Sequence, residues 1–274
     1  MKIGFIGTGN MGGAILKGYA GSEASIGNEI LIHNRSTEHN EQMAASMAQA
    51  AGNRIRICND NRQLAEESDI IIIGVKPDAV EQVLKEISPA KEKIIVSMAA
   101  GVSIAKMERA MGRSGAFAKI IRIMPNTPAQ VGEAMTSMSR NTNVSQGEFE
   151  DVLEIFSSVG KCREVDESLI DCVIGVSGSC TAYTFMYIEA LIQAACENGM
   201  EEQQARVFAA QSVLGAAKMV LESSESLEQL RVNVCSPGGT TIEAVNTLFA
   251  NGFMEDVKEG FQAAVDRSKE MTGE

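Results

Sequence analysis

The sequence predicts an α/β fold, a doubly wound and mostly parallel sheet followed by an all-helical part. Three observations predict it. Short β-branched runs alternate with helical stretches over residues 1 to about 165. One of those runs, Ile70-Ile71-Ile72-Ile73, is apolar without a break, as a parallel strand covered on both faces must be. After Glu164 the strand signal ends and only helical periodicity remains.

The strands are expected, in order, at 2–6, 29–33, 55–58, 70–75, 94–98, 120–124, 134–139 and 162–165. Helices are expected between them, among them 37–51 and 80–87. Another spans 146–159, with Ser145 in the N-cap position, where its hydroxyl can take a free first-turn amide. Beyond the sheet, Val207, Ala210, Leu214, Ala217 and Leu221 form one stripe at helical spacing. Asn198-Gly199 reads as a helix C-cap, and Glu201-Glu202 opens the next helix with charges suited to its dipole. These signals divide the chain into 1–164, an α/β domain, and 165–274, an all-helical domain.

The composition supports a packed core. Of 274 residues, 45% are hydrophobic, 22% are charged and only five are proline. A net charge of −12 argues against nucleic acid or an anionic membrane as the main partner. The charge is lopsided: 18 basic and 19 acidic side chains in 1–164, against 6 and 17 in 165–274. No secretory leader is expected from the short apolar start, and no spanning helix, because the best stretch, 182–196, carries Glu189 and Gln193. Six cysteines without a C-x-x-C pair read as reduced thiols of a cytoplasmic protein. With only His33 and His39, and no cysteine near them, no metal site is expected.

The first strand runs into Gly7-Thr8-Gly9-Asn10-Met11-Gly12 and then a helical stretch. This is G-x-G-x-x-G in the strand–turn–helix setting that the dinucleotide fingerprint requires. Gly7 serves the tight turn, Gly9 the approach of pyrophosphate and Gly12 the helix–sheet contact. The second strand ends in His33-Asn34-Arg35-Ser36 with no acid before Glu38, where an NAD enzyme places a carboxylate for the ribose 2′-hydroxyl. Arg35, with planar donors, suits a 2′-phosphate, so NADPH is expected and NADH as a weaker alternative.

Three further segments extend the pattern: Gly74-Val75-Lys76-Pro77, Met124-Pro125-Asn126-Thr127-Pro128 with Val131-Gly132-Glu133, and Ser236-Pro237-Gly238-Gly239-Thr240-Thr241-Ile242. With the glycine turn they resemble the pyrroline-5-carboxylate reductase family, the last enzyme of proline biosynthesis. The resemblance spans essentially the whole chain. It implies a Rossmann-type N-terminal domain and a helical dimerisation domain like the C-terminal domain of 6-phosphogluconate dehydrogenase. It further implies NADP-dependent reduction of a cyclic imine by homodimers or higher assemblies built of dimers. It puts Gly7, Gly9, Asn10, Met11 and Gly12 on the pyrophosphate and Asn34, Arg35 and Ser36 on the adenosine phosphate. Asn61, Val75, Lys76, Pro77, Ala100 and Asn233 follow along the cofactor, while Glu167, Gly239, Thr240 and Thr241 fall on the substrate.

The residues support part of this independently. Gly238-Gly239 before Thr240-Thr241 looks like a turn opening a helix over 242–250, whose free amides suit a carboxylate. Thr241 is then placed to orient the ring nitrogen or relay a proton through water, its hydroxyl being too weak an acid to protonate an imine alone. Glu167 would favour the charged iminium. The competing reading of the two threonines is plain N-capping.

Ser179-Cys180-Thr181-Ala182 stands where the family commonly has Ser-Gly-Pro-Ala, and Glu133-Ala134-Met135 where it has Glu-Gly-Met. The alternatives that these departures keep open are an imine reductase for another cyclic imino acid and an impaired NADP-binding regulatory paralogue. A β-hydroxyacid dehydrogenase is disfavoured, since no lysine lies between Lys161 and Lys218.

Overall fold

The four-isoleucine run forms an inner strand of an eight-stranded sheet, between the first strand and the fifth. The computed structural model describes residues 1–88 and 92–272. Its strands are β1 (Lys2–Ile6), β2 (Glu29–His33), β3 (Ile55–Ile57), β4 (Ile70–Ile73), β5 (Ile94–Ser97), β6 (Lys119–Met124), β7 (Ala134–Arg140) and β8 (Gly160–Glu164), in the order β3-β2-β1-β4-β5-β6-β7-β8. All neighbours are parallel except β6 and β7. That exception follows from the connection 125–133, which holds only the 3-10 turn Thr127–Val131. A parallel return needs a full crossover.

Each sheet face is closed by its own helices, because successive side chains of a buried strand point opposite ways. On one face Ile3, Phe5, Ile70 and Ile72 meet α1 (Asn10–Ala20), α2 (Thr37–Ala51) and α6 (Gln146–Ser157), through Leu16, Tyr19, Met47 and Phe156. On the other, Ile6, Ile71, Ile73 and Ile95 meet α3 (Asn61–Glu67), α4 (Pro77–Ile87) and α5 (Ile104–Ala110), through Leu64, Leu84 and Met107. Ser145 caps α6 as expected, in a full capping box with Glu148.

After β8 come α7 (Ile170–Val173), the π-helical turn Ile174–Gly178, α8 (Cys180–Glu197), α9 (Glu202–Glu222), α10 (Leu227–Val234), α11 (Thr240–Ala250) and α12 (Phe253–Thr272). Two compact units result: Met1–Gly178 with Ala264–Glu274, and Ser179–Ala263. The strand signal stops at Glu164, while the compact division falls at 178/179.

In the first unit the last turns of α12 are anchored. Ser268 Oγ donates to Asp171 Oδ1 at 2.5 Å, and Lys106 Nζ donates to the Thr272 carbonyl. In the second unit Gly199 (φ +89) closes α8 and the Glu201 carboxylate caps α9. That unit buries almost nothing: Ala205 and Ala209 are its buried residues, while Phe185, Phe208 and Leu221 are each about two-thirds exposed. The run Glu167–Glu197 is long and apolar enough, by length and composition, to cross a membrane, which the sequence reading had not expected.

Candidate functional site

In a doubly wound sheet the crevice lies where the strand order reverses, here beyond the ends of β1 and β4. Three glycines meet there. Gly7 adopts φ +86, and a Cβ on either Gly12 or Gly74 would stand 2.4 Å from the Gly7 carbonyl oxygen. The loop, the start of α1 and the end of β4 therefore pack at backbone distance, which excludes any side chain.

Gly9 differs: a Cβ there would meet no atom within 4 Å. The protein's own packing leaves that side open, as a cradle for a group approaching the backbone. Gly9 is also the N-cap of α1, without a side-chain cap and with no acid in the first turn. The first-turn amides of Asn10, Met11 and Gly12 keep their donors, with the helix dipole behind them. The loop thus fits a dinucleotide pyrophosphate on its geometry alone.

At the end of β2, Asn34 turns inward. Its Oδ1 accepts from the Thr8 amide at 2.6 Å, and its Nδ2 donates to Thr8 Oγ1 and Asn40 Oδ1. Its side chain is committed to the glycine loop, so it braces the site. Arg35 is exposed, and among the described residues no hydrogen bond or ion pair engages its guanidinium. Ser36 caps α2, accepting from the His39 amide. His33 Nδ1 stands 3.0 Å from the Cys58 carbonyl oxygen.

Farther along the strand ends, Asn61 Nδ2 donates to Glu86 Oε2 at 2.6 Å. Its Oδ1 is buried without a partner among the described residues. Lys76 precedes α4, with Pro77 at the first helical position, and is exposed without an ion pair among the described residues. Val75 and Ala100 are half-buried at the ends of β4 and β5.

Glu167 is engaged more fully than expected. Its Oε1 accepts from Arg122 Nη1 at 3.0 Å and from the Ile104 amide at 2.8 Å. Arg122 sits within β6 at 4% side-chain exposure, and its Nε and Nη2 are buried without partners among the described residues. Breaking such a pair strands a buried charge, so Glu167 has a structural task beside any contact with a substrate. Arg122 was missed by the sequence reading. Its signal was a cation set between isoleucines in the middle of the strand, Ile120-Ile121-Arg122-Ile123.

In the helical unit Gly238 adopts φ +67, and a Cβ on Gly239 would stand 2.3 Å from Ser236 Oγ. Gly239 is the N-cap of α11, which starts at Thr240 and has no side-chain cap. The threonines thus follow the N-cap and neither one is it, and among the described residues no side chain takes the first-turn amides, with Glu243 close behind. Asn233 Nδ2 donates to Glu225 Oε2, and its Oδ1 accepts from Gln229. Cys180 starts α8, its Sγ 3.9 Å from Thr184 Oγ1. Among the described residues no group of three or more His, Cys, Asp or Glu side chains could hold a metal.

The comparisons with known proteins agree with one another. Residues 2–101 match the family description "NADP oxidoreductase coenzyme F420-dependent", and residues 167–271 match "Pyrroline-5-carboxylate reductase dimerisation". The pyrroline-5-carboxylate reductase of Escherichia coli K12 is 43% identical over 273 residues, covering 99% of this chain and 98% of the relative. The chain belongs to the pyrroline-5-carboxylate reductase family.

Among solved pyrroline-5-carboxylate reductases, that of Coxiella burnetii superposes with TM-score 0.87 at 34% identity, covering 98% of each chain. The Plasmodium falciparum enzyme, whose crystal structure has NADP bound, superposes with TM-score 0.85 at 32% identity, covering 99% of this chain and 98% of the other. The matched dimerisation region holds most of the large apolar side chains that the chain leaves exposed, Phe185, Phe208 and Leu221 among them. An apolar helical run with little of its surface buried suits a subunit interface as well as it suits a lipid phase.

Proposed function

We propose that the protein reduces 1-pyrroline-5-carboxylate to L-proline with NADPH. The observation that carries this reading is the full-length likeness to pyrroline-5-carboxylate reductases, read together with the open backbone cradle at Gly9. When bound, NADPH supplies a hydride to the imine carbon while the ring nitrogen ends protonated.

The chain's own residues do the rest. The amides opening α1 hold the pyrophosphate, and Arg35 with Ser36 reads the 2′-phosphate. Gly239 and Thr240 offer the start of α11 to the substrate carboxylate. Thr241 orients the ring nitrogen. Glu167, its Oε1 taken by Arg122 and the Ile104 amide, keeps Oε2 as an acceptor for a protonated ring nitrogen. Support for the cytoplasm comes from the six cysteines, all free thiols in the structure. The assembly is a dimer, or a ring of dimers, that buries the apolar faces of α8 to α11.

Steady-state oxidation of NADPH with 1-pyrroline-5-carboxylate, run beside a six-membered imino acid, tests the reading. Tight NADPH binding without turnover of either would remove the enzyme and leave a regulatory paralogue, the alternative that Cys180-Thr181 keeps open. Faster turnover of the six-membered ring would reassign the substrate. Thr241→Val should lower kcat about tenfold with little change in NADPH affinity; an equal loss of cofactor binding would count against its role. Arg35→Asp should shift preference towards NADH by about tenfold or more. An unchanged ratio would move 2′-phosphate recognition elsewhere.

A further inference from the structure

Thr8, between the first two glycines of the turn, is fully buried, and each of its polar groups is committed. Its amide donates to Asn34 Oδ1 at 2.6 Å, and its hydroxyl oxygen lies 2.9 Å from Asn34 Nδ2. Its carbonyl oxygen lies 2.9 Å from His39 Nε2. A carbonyl can only accept, so Nε2 carries the hydrogen. The same nitrogen is 3.2 Å from Thr8 Oγ1. Asn40, buried beside His39, holds Asn34 from both ends, accepting from its Nδ2 and donating to its carbonyl.

The peptide plane makes this more than support for the loop. Thr8 C=O and Gly9 N–H belong to one trans peptide, so they point in opposite directions. By fixing the carbonyl inward, His39 turns the Gly9 N–H away from itself. His39 is not needed to start α2, since Ser36 already caps that helix.

We propose that His39, braced with Asn34 and Asn40, is a positioning residue of the dinucleotide site, holding the Thr8–Gly9 peptide so that the Gly9 amide is preset for the pyrophosphate. The inference rests on the NADPH reading given above. Without His39 the peptide is free to rotate, and a donor that was oriented in advance must be ordered on binding.

The test is direct titration of NADPH and NADH onto the full-length protein, without substrate. His39→Ala should weaken both by a similar factor, about tenfold, because the pyrophosphate is common to the two. His39→Gln, which restores an N–H donor on a flexible stem, should recover most of the loss. In turnover the change should appear in KM for NADPH more than in kcat. Unchanged affinities with only a lower Tm would overturn the proposal, leaving His39 a purely stabilising contact. A loss confined to NADPH would overturn it too, by tracing the effect to the 2′-phosphate. Wild-type protein that binds neither dinucleotide would instead defeat the cofactor reading itself, an outcome visible before any variant is made.

Discussion

The sheet unit and the helical unit hold themselves together in different ways. The first closes both faces of its sheet with its own helices, so Tyr19, Phe5, Leu64 and Phe156 are sealed by residues of the same unit. The second has helices of 18 and 21 residues, α8 and α9, with Ala205 and Ala209 as its buried residues. A helix needs an apolar stripe against something, and in this unit most of the stripe is still waiting for it. The cofactor half thus closes its own core, whereas the helical half leaves apolar faces that an association would cover.

The sharpest way to break this contrast is to make the exposed faces polar. Replacing Phe185 and Phe208 by serine touches residues that the isolated chain already exposes, so a self-sufficient unit would hardly notice. We expect association to weaken by about a hundredfold or more, with light scattering approaching the 29.2 kDa of one chain and activity falling with it. An assembly of unchanged mass would show that these faces are not the interface. Next in size, Phe156→Ala should cost the sheet unit about 3–5 kcal/mol, because the cavity lies in a core that no partner can refill. Urea unfolding followed by a probe in that unit reads this; a loss under about 1 kcal/mol would mean that the core is looser than its burial implies.

The same contrast explains what could be read from the sequence. The sheet unit follows local rules, so Thr37–Ala51 and the cap Ser145 were legible, and the strand positions came out within a few residues. Period and turn chemistry determine such elements with little outside help. Asn34 was placed at the adenosine phosphate by the family resemblance and as a small polar side chain suited to a 2′-phosphate. Its actual commitment to Thr8 depends on a loop 26 residues away, and local pattern does not carry that. Arg122 and Glu167, 45 residues apart, were invisible as a pair for the same reason. In the helical unit the stripe Val207, Ala210, Leu214, Ala217 and Leu221 was legible as periodicity. What it faces was not: an apolar stripe reads alike whether its partner is another helix of the chain or a second subunit.

The smallest test probes the self-contained half alone, through one charge at the start of α6. Glu148 lies between Lys119 Nζ, 2.6 Å from its Oε1, and Ser145, whose amide and hydroxyl donate to its Oε2. Partial burial alone would raise its pKa, but the lysine and both serine donors outweigh that and hold the carboxyl at about 2. A carboxylate whose folded pKa lies below its unfolded value stabilises the fold at all pH values above the unfolded one. That contribution fades as pH drops from about 4.5 to about 2. Glu148→Gln should therefore lower stability at neutral pH by about 1 kcal/mol, after allowing for solvent screening at this quarter-exposed pair. The gap to wild type should close as the solution is acidified through that window. Because both partners lie in the sheet unit, the gap should also be independent of protein concentration, in contrast to the serine substitutions at Phe185 and Phe208. A gap that changed with concentration would tie α6 to assembly and undo the separation between the two halves.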